Sequence, residues 1–401
     1  MSRLILCSYC IFIVVISGCA KLPRNPVPLD HIYEAEVVAV PGVRGWGGML
    51  SSEMQRDTIA SLEQEGPEDF VNPITGKKEY SALALSGGGS NGAFGAGFLY
   101  GWSKRENRPD FKLVTGISTG ALIAPFAFLG PAYDEELKEV YTTIDTKRII
   151  EKLNIFSILT TNESFSRSTP LQDLISEHID ERMLQAVALA HDQGRRLYVG
   201  TTHMDAQRLS VWNMGLIAKN GTKAALNLFK DVLLASASIP VAMPPVYIGV
   251  AVDGTKYDEM HTDGGTITQV FFHAGTINLV EAGKAAGLAI ENDTFSRLYI
   301  IRNGQIKPIP RHVARSLSDI STRTLETSIK AATLNNLFRM YVLAQKERSE
   351  IFYVDIPADY SSESNELFDQ EEMTRLFNLG MELGMSANPW NDSLPGFDQI
   401  E

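Results

Sequence analysis

The residue with the clearest chemical potential is a serine placed between two glycines. Residues 116–120 read Gly-Ile-Ser-Thr-Gly, a G-x-S-x-G pattern that predicts Ser118 at a sharp turn between a strand and a helix. Gly116 and Gly120 are needed because side chains at these positions would collide with neighbouring backbone. The helix N-terminus adds partial positive charge where an oxyanion would develop. The pattern indicates a nucleophile for acyl transfer, and a glycine-lined turn with an idle serine is its alternative.

A run of three glycines, Gly87, Gly88 and Gly89, follows another predicted strand and leads into a helix. Glycines leave their backbone N–H groups unshielded, and a parallel sheet would place this loop beside the turn that carries Ser118. Donors fixed at such a point stabilise the charge of a tetrahedral intermediate. We therefore predict an oxyanion hole formed by these three N–H groups together with that of Thr119.

The same loop has a competing interpretation, because Gly87, Gly89 and Gly92 also satisfy the G-x-G-x-x-G pattern of dinucleotide-binding folds. Such a fold needs an acidic residue at the end of its second strand to bind the ribose. Asp110 instead precedes the predicted strand at residues 113–115 and would lie at its opposite end. We therefore expect no nucleotide cofactor, with nucleotide binding and a purely structural role for the glycines as the alternatives.

An aspartate at the end of a later strand is the predicted general base. Asp263 is followed directly by Gly264 and Gly265, and loops at strand ends are where parallel sheets assemble their sites. Its carboxylate could accept the proton of Ser118 if partial burial raised its pKa toward the working pH. A turn or helix-capping aspartate is the alternative interpretation.

The elements that must position these residues alternate between strand and helix. Apolar runs at residues 82–85 and 113–115 predict buried strands, each followed by a helix of small or apolar residues at 91–102 and 121–129. Two successive strand-helix units predict a parallel sheet covered by helices on both faces.

The rest of the chain continues this alternation. Residues 131–193 are predicted to be mostly helical and are interpreted as an insertion or lid. Asp253 and Gly254 predict a tight hairpin, since that pair readily takes positive φ. The other predicted strands are 197–201, 209–212, 246–252, 256–262, 297–302 and 351–355, with helices at 51–65, 223–235 and 313–348.

Three motifs together resemble those of patatin-like phospholipases in order and approximate spacing. They are the glycine loop at 87–92, the serine turn at 116–120 and Asp263 with its two glycines. The proline-bearing segment 235–245 also looks like the one that precedes the aspartate of that family. The resemblance covers residues 81–269 and is far more specific than any single motif.

The resemblance implies a fold and a chemistry. The fold is an α/β, three-layer α/β/α sandwich with a mainly parallel central sheet. The chemistry is hydrolysis of acyl esters in lipids by a dyad of Ser118 and Asp263, without a metal or cofactor. The family usually has a basic residue where Asn91 stands here, so this loop lacks that charge.

Two other functions fit parts of the pattern. An α/β-hydrolase arranges a triad in the order Ser, Asp, His, and Asp263 followed by His273 or His312 would fit that order. The Asp-Gly-Gly sequence favours the dyad. A non-enzyme alternative is a tethered envelope protein that binds a lipid without hydrolysing it.

The N-terminus predicts export and lipidation. Arg3 and the apolar run at residues 4–16 are typical of a signal peptide, predicted at 1–18. Ile-Ser-Gly-Cys at its end resembles the lipobox of bacterial lipoproteins, in which the cysteine, here Cys19, is acylated. In Gram-negative lipoproteins a residue other than aspartate in the next position, here Ala20, implies sorting to the outer membrane. We therefore expect a membrane anchor and a protein that faces the periplasm.

Composition sets the remaining limits. The chain has 401 residues, 44% of them hydrophobic, and a net charge of −12, which excludes nucleic acid as an expected partner. A catalytic domain is predicted at residues 81–357, after a Pro-rich tether and extension at 19–80. Residues 358–401 hold ten acidic residues and one base, Arg375, and are predicted to be a solvated segment.

Overall fold

The computed structural model of the chain describes residues 22–72, 75–149, 151–152, 166–287, 294–364 and 366–393. The predicted signal peptide and Cys19 lie outside the described residues. So do residues 153–165 of the predicted lid and the end of the acidic segment after residue 393.

Strands and helices alternate along most of the chain. The strands are β1 (Glu36–Val37), β2 (Arg44–Trp46), β3 (Lys78–Leu85), β4 (Leu113–Ile117), β5 (Glu151–Lys152), β6 (Ser166–Arg167), β7 (Arg196–His203), β8 (Arg208–Asn213), β9 (Val246–Val252), β10 (Thr255–Asp263), β11 (Thr294–Arg302) and β12 (Ser349–Asp355). The α-helices are α1 (Ser52–Glu63), α2 (Gly92–Lys104), α3 (Thr119–Leu129), α4 (Asp134–Thr143), α5 (Thr169–His178), α6 (Glu181–Asp192), α7 (Met214–Asn220), α8 (Lys223–Ala237), α9 (Leu279–Ala285), α10 (Leu317–Lys346) and α11 (Gln370–Met385).

One large sheet organises these elements. Its centre is parallel, in the order β12, β11, β3, β4 and β7. Antiparallel strands extend it beyond β7, where β8 and β10 both pair with β7 and β9 pairs with β10. The β9–β10 connection is the predicted hairpin, with φ of 48° at Asp253 and 80° at Gly254.

Helices cover both faces of the sheet, as the alternation along β3 illustrates. Leu83 and Leu85 belong to one hydrophobic cluster, which includes α2, α3 and α8. Ala82 and Ala84 belong to a second cluster on the opposite face, which includes the C-terminal half of α10. Successive side chains of a strand point to opposite faces, so the predicted three-layer α/β/α sandwich is confirmed.

Two strand ends meet head to head along one edge of β7. The last residue of β4, Ile117, pairs with Gly200, and β4 runs parallel to β7. The last residue of β10, Asp263, pairs with Thr201, and β10 runs antiparallel to β7. Because Gly200 and Thr201 are consecutive, the residue after β4 and the last residue of β10 come together.

Part of the acidic C-terminal segment is not solvated, contrary to the prediction. Its helix α11 packs against α2 and buries Met373, Leu376 and Phe377. Glycines let the two backbones touch: a Cβ on Gly97 would lie 1.9 Å from the carbonyl oxygen of Phe377, and one on Gly380 would lie 2.1 Å from that of Phe94. Charge composition alone did not reveal this apolar face.

The α2–α11 contact predicts a severe effect of one added methyl group. Gly97→Ala is expected to lower the free energy of unfolding by roughly 1–3 kcal/mol, because backbone atoms cannot move aside as a side chain can. Urea denaturation would measure the change. Gly249→Ala is the matched control, since a Cβ there meets nothing within 4 Å; equal losses in the two variants would contradict the close packing.

Candidate active site

Ser118 occupies a strained turn between β4 and α3. Its backbone has φ of 55° and ψ of −126°, a region that costs a non-glycine residue about 1–3 kcal/mol. A Cβ on Gly116 would lie 2.5 Å from the carbonyl oxygen of Gly120, and a Cβ on Gly120 would lie 2.4 Å from that of Leu85. Both glycines are therefore required by close backbone contacts, as the pattern predicted.

The side chain of Ser118 contacts the predicted aspartate directly. Ser118 Oγ donates a hydrogen bond of 2.7 Å to Asp263 Oδ2. The other carboxylate oxygen, Oδ1, accepts the N–H of Gly265 at 2.7 Å. Ser118 and Asp263 are each 6% exposed, so the contact lies in a largely desolvated place.

Burial sets the protonation of Asp263. Removal of the carboxyl from water raises its pKa from 3.8 to about 6, while the hydrogen bonds from Ser118 and Gly265 oppose this rise. Ile117 contributes to the apolar surroundings, because its Cδ1 lies 2.8 Å from where a Cβ on Gly264 would be. The carboxyl therefore titrates near the lower end of the physiological range and is mostly ionised at pH 7.

Two serines at the C-terminal end of α8, Ser236 in its last turn and Ser238 directly after it, hold both members of the contact. Ser236 Oγ accepts the backbone N–H of Ser118 at 3.0 Å and donates to the carbonyl of Gly200 at 2.7 Å. The carbonyl of Ser238 accepts the backbone N–H of Asp263 at 2.9 Å. These roles were not predicted, although both serines belong to the proline-bearing segment noted in the sequence.

The glycine loop lies against the serine turn, but its donors differ from the prediction. Gly87 is not an available donor, because its N–H bonds to the carbonyl of Gln269 at 2.9 Å. Its role is close approach, since a Cβ there would lie 3.2 Å from Ser118 Cβ. Within the described ranges, the N–H groups of Gly88, Gly89 and Thr119 have no acceptor, so these three remain the candidate oxyanion donors.

A buried arginine supports the loop from β11. Arg302 Nη1 donates to the carbonyl of Gly87 at 2.6 Å and to Ser86 Oγ at 3.0 Å. Burial lowers its pKa to about 10, so the guanidinium stays protonated at neutral pH. Asn303 adds hydrogen bonds to Ser86. Cationic charge thus lies beneath the loop, although Asn91 supplies none.

Gly92 allows α2 to approach the start of α3. A Cβ on Gly92 would lie 2.0 Å from Thr119 Oγ1. That hydroxyl is 2.6 Å from the buried Tyr141 hydroxyl, which fixes the residue after the serine.

The histidines of the alternative triad bond elsewhere. His273 Nε2 lies 2.9 Å from Glu347 Oε1, and His312 lies in the exposed stretch before α10. His261, although close in sequence, contacts Thr201 and Glu259. Both oxygens of Asp263 are already bonded to Ser118 and Gly265, so the arrangement is a serine-carboxylate pair.

His203, Glu259 and His261 form a buried cluster whose composition could suit a metal. Glu259, however, is ion-paired with Arg44. His203 Nδ1 accepts the N–H of Ala206 at 3.1 Å, so the proton of the neutral ring is on Nε2, the atom that faces Glu259. A nitrogen that carries a proton cannot ligate a cation, and the cluster is best described as the Arg44–Glu259 ion pair, with His261 Nε2 3.3 Å from Glu259 Oε2 and His203 Nε2 3.6 Å from Oε1.

No helix in the described part of the chain combines the length and apolarity needed to cross a bilayer. No curated protein matches the sequence significantly. A solved structure, VipD from Legionella pneumophila, is similar at 11% identity and a TM-score of 0.37, over 76% of this chain and 66%, just under two thirds, of the VipD chain. The family model described as Patatin-like phospholipase matches residues 83–274. That span contains the glycine loop, the serine turn and Asp263, and this chain therefore carries a domain of the patatin-like phospholipase family at residues 83–274.

Proposed function

We propose that the chain hydrolyses acyl esters of lipids with Ser118 as nucleophile and Asp263 as general base. One observation carries the proposal, the 2.7 Å hydrogen bond between Ser118 Oγ and Asp263 Oδ2. The patatin-like phospholipase domain supports lipid esters as the substrate class.

In the proposed first step, Ser118 Oγ attacks the ester carbonyl carbon while its proton passes to Asp263. The N–H groups of Gly88, Gly89 and Thr119 stabilise the oxyanion. The C–O bond to the alcohol then breaks, and Asp263 returns the proton to the departing oxygen. Water attacks the acyl-serine while Asp263 accepts its proton; the acyl C–Oγ bond then breaks, Asp263 returns the proton to Ser118 Oγ, and the fatty acid is released.

Three features make a carboxylate a usable base here. Burial raises the pKa of Asp263 to about 6. This reduces the difference between the pKa of the base and that of the serine hydroxyl. The bond from Gly265 fixes the carboxylate orientation. The strained turn presents Ser118 Oγ toward that carboxylate before any substrate binds, so orientation is preorganised.

The nucleophile assignment predicts covalent labelling. A fluorescent organophosphonate is expected to label the unsubstituted chain, while Ser118→Ala loses the label and at least about 10³-fold of ester hydrolysis. Ser52→Ala, an exposed serine of α1, is the control and should keep both. Folded, unsubstituted protein that resists the label would favour the lipid-binding alternative.

The base assignment predicts a pH profile and a stability gain. Hydrolysis is expected to fall as pH drops through about 6, because protonated Asp263 cannot accept a proton. Asp263→Asn should lose about 10³-fold or more of kcat/KM.

Since the pKa of Asp263 in the folded state is raised above its value in the unfolded state, ionisation of this carboxyl opposes folding, and stability is lost as pH rises through about 6.

The Asn variant should therefore be more stable than the unsubstituted chain at pH 8, by about 1–3 kcal/mol. The difference should close below pH 4, where the carboxyl is protonated in both states. Thermal unfolding across pH measures this. His312→Ala is the control for activity, and a large loss there would restore the triad hypothesis.

We also propose that Cys19 anchors the protein by a lipid in the outer membrane, facing the periplasm. Support comes from the sequence alone, the lipobox-like Ile-Ser-Gly-Cys and the residue Ala20 after it. In a Gram-negative host, the unsubstituted chain is expected to incorporate labelled palmitate, and Cys19→Ser is expected to lose this label. Cys10→Ser, within the predicted signal peptide, should keep the label; equal labelling of both variants would refute anchoring at Cys19.

A further inference from the structure

The N-terminal half of α10 exposes apolar side chains that have no cover in the described structure. Leu317 is 85% exposed, Leu325 62% and Ile320 53%. A helix on a soluble protein normally turns its apolar stripe toward the core. Exposed apolar side chains grouped on one side of a helix are a candidate interaction site.

The apolar stripe is on the opposite side of α10 from the side that faces the core. In its C-terminal half the helix buries Thr333, Leu337, Met340 and Ala344. At 3.6 residues per turn, that buried side continues into the N-terminal half as the charged residues Asp319, Arg323, Glu326 and Lys330. Leu317, Ile320 and Leu325 fall within an arc of about 140° on the opposite side.

The charged side of the helix is occupied by the preceding loop. Arg323 Nη2 donates to the carbonyl of Ile309 at 2.7 Å, and Lys330 Nζ donates to that of Lys307 at 2.5 Å. Arg311 pairs with Glu326 at 3.0 Å. Residues 305–330, the projecting segment, are therefore held together by their polar groups, and their apolar side points to solvent.

The projecting segment lies on the same side of the sheet as the candidate active site, and residue Asn336, further along α10, links the helix to that site. Asn336 Oδ1 accepts the backbone N–H of Gln269 at 2.8 Å, and the carbonyl of Gln269 accepts that of Gly87. From there α10 runs toward the amino end of β12, so its other half extends past the carboxyl ends of the strands. Measured along the axis of α10 toward its N-terminus, Leu317 lies about 28 Å from Asn336. The projection is thus on the side of the sheet that carries Ser118.

Charge identifies the partner class. The chain carries −12 overall, but the projecting segment is basic. Its bases are Lys307, Arg311, Arg315, Arg323 and Lys330, and its acids are Asp319 and Glu326. A basic, amphipathic helix with exposed leucine and isoleucine is typical of a segment that adsorbs to anionic lipid.

We propose that the projecting segment docks the protein on an anionic lipid surface, with Leu317, Ile320 and Leu325 inserted at the level of the head groups. Other exposed apolar residues lie close in sequence to groups that hold the Ser118–Asp263 pair: Ile239 is 38% exposed, Val241 63% and Ile267 37%. Docking would turn the active site toward the bilayer. This surface is separate from the Cys19 anchor, and it requires no hydrolysis.

A local probe tests docking without depending on catalysis or on the anchor. The full chain would carry Ser118→Ala and serine in place of all three cysteines, with Leu325→Cys labelled by an environment-sensitive nitrobenzoxadiazole dye. Vesicles of equal parts phosphatidylglycerol and phosphatidylcholine are expected to raise the emission about twofold or more and shift it to the blue. Pure phosphatidylcholine and high salt should reduce the effect, because the basic residues would contribute less. The same dye at Leu189→Cys, 61% exposed on α6, should not respond.

Other outcomes overturn the proposal. An unchanged emission at position 325, or equal changes at positions 325 and 189, would exclude insertion of this helix. A blue shift that depends on protein concentration without vesicles would assign the apolar face to a second copy of the chain.

A second measurement separates docking from hydrolysis. With Ser118 intact, the combined variant Leu317→Ser, Ile320→Ser and Leu325→Ser should cleave a short, water-soluble ester within about twofold of the unsubstituted rate, and anionic vesicle lipid at least about tenfold more slowly. The matched control is Leu50→Ser, Leu189→Ser and Leu367→Ser, which removes three exposed leucines elsewhere. Equal vesicle rates for the two triple variants would refute the proposal. Absence of soluble-ester hydrolysis in every chain would refute the proposed function and leave the dye result standing.

Discussion

The structure of the candidate site depends on one junction, the head-to-head meeting of β4 and β10 on the edge of β7. Consecutive residues of β7, Gly200 and Thr201, pair with the last residues of the two strands. Because one strand is parallel and the other antiparallel to β7, both chains arrive at the same point from opposite directions. No flexible loop separates Ser118 from Asp263, and the geometry of a hydrogen-bonded sheet sets their distance.

The junction also explains why several positions around it must be glycine. A Cβ on Gly264 would lie 2.5 Å from the carbonyl oxygen of Gly200, and Gly116 and Gly120 are limited in the same way. The strained turn at Ser118 is retained because the surrounding contacts leave no room for relaxation. Ser236 contributes by binding the backbone of both Ser118 and Gly200. Strain at the nucleophile is thus compensated by hydrogen bonds from an element more than a hundred residues away in sequence.

The sequence was sufficient to identify those functional residues that lie in a recognisable local motif. Ser118 and Asp263 were identifiable because each follows or ends a strand and is flanked by glycines, and strand ends of a parallel sheet meet at one edge. Gly87 was assigned wrongly as a donor, since its partner Gln269 is remote in sequence and carries no motif. Arg302 and Ser236 were missed for the same reason. Their functions arise from contacts across the fold: Arg302 lies in no motif, and the proline-bearing segment that contains Ser236 was noted only as a resemblance, with no role for the serine.

The exposed stripe of α10 was missed because its period is interrupted. Over the whole helix the apolar residues do not share one side: Leu337 and Met340 face the core, whereas Leu317 and Leu325 face away. A pattern read along the full helix cancels these two directions, and only the structure separates them. The switch occurs between Leu325 and Thr333, just before Asn336 binds the backbone of Gln269, which in turn binds that of Gly87. The same helix therefore supports the glycine loop with one half and offers an apolar face with the other. Ser118 is only 6% exposed, so little of its surface is open to a substrate that approaches from water. In the proposed docking, the apolar face of α10 would bring a bilayer to the side of the sheet that carries Ser118, so that a lipid would need to move less of its acyl chain through water to reach the nucleophile.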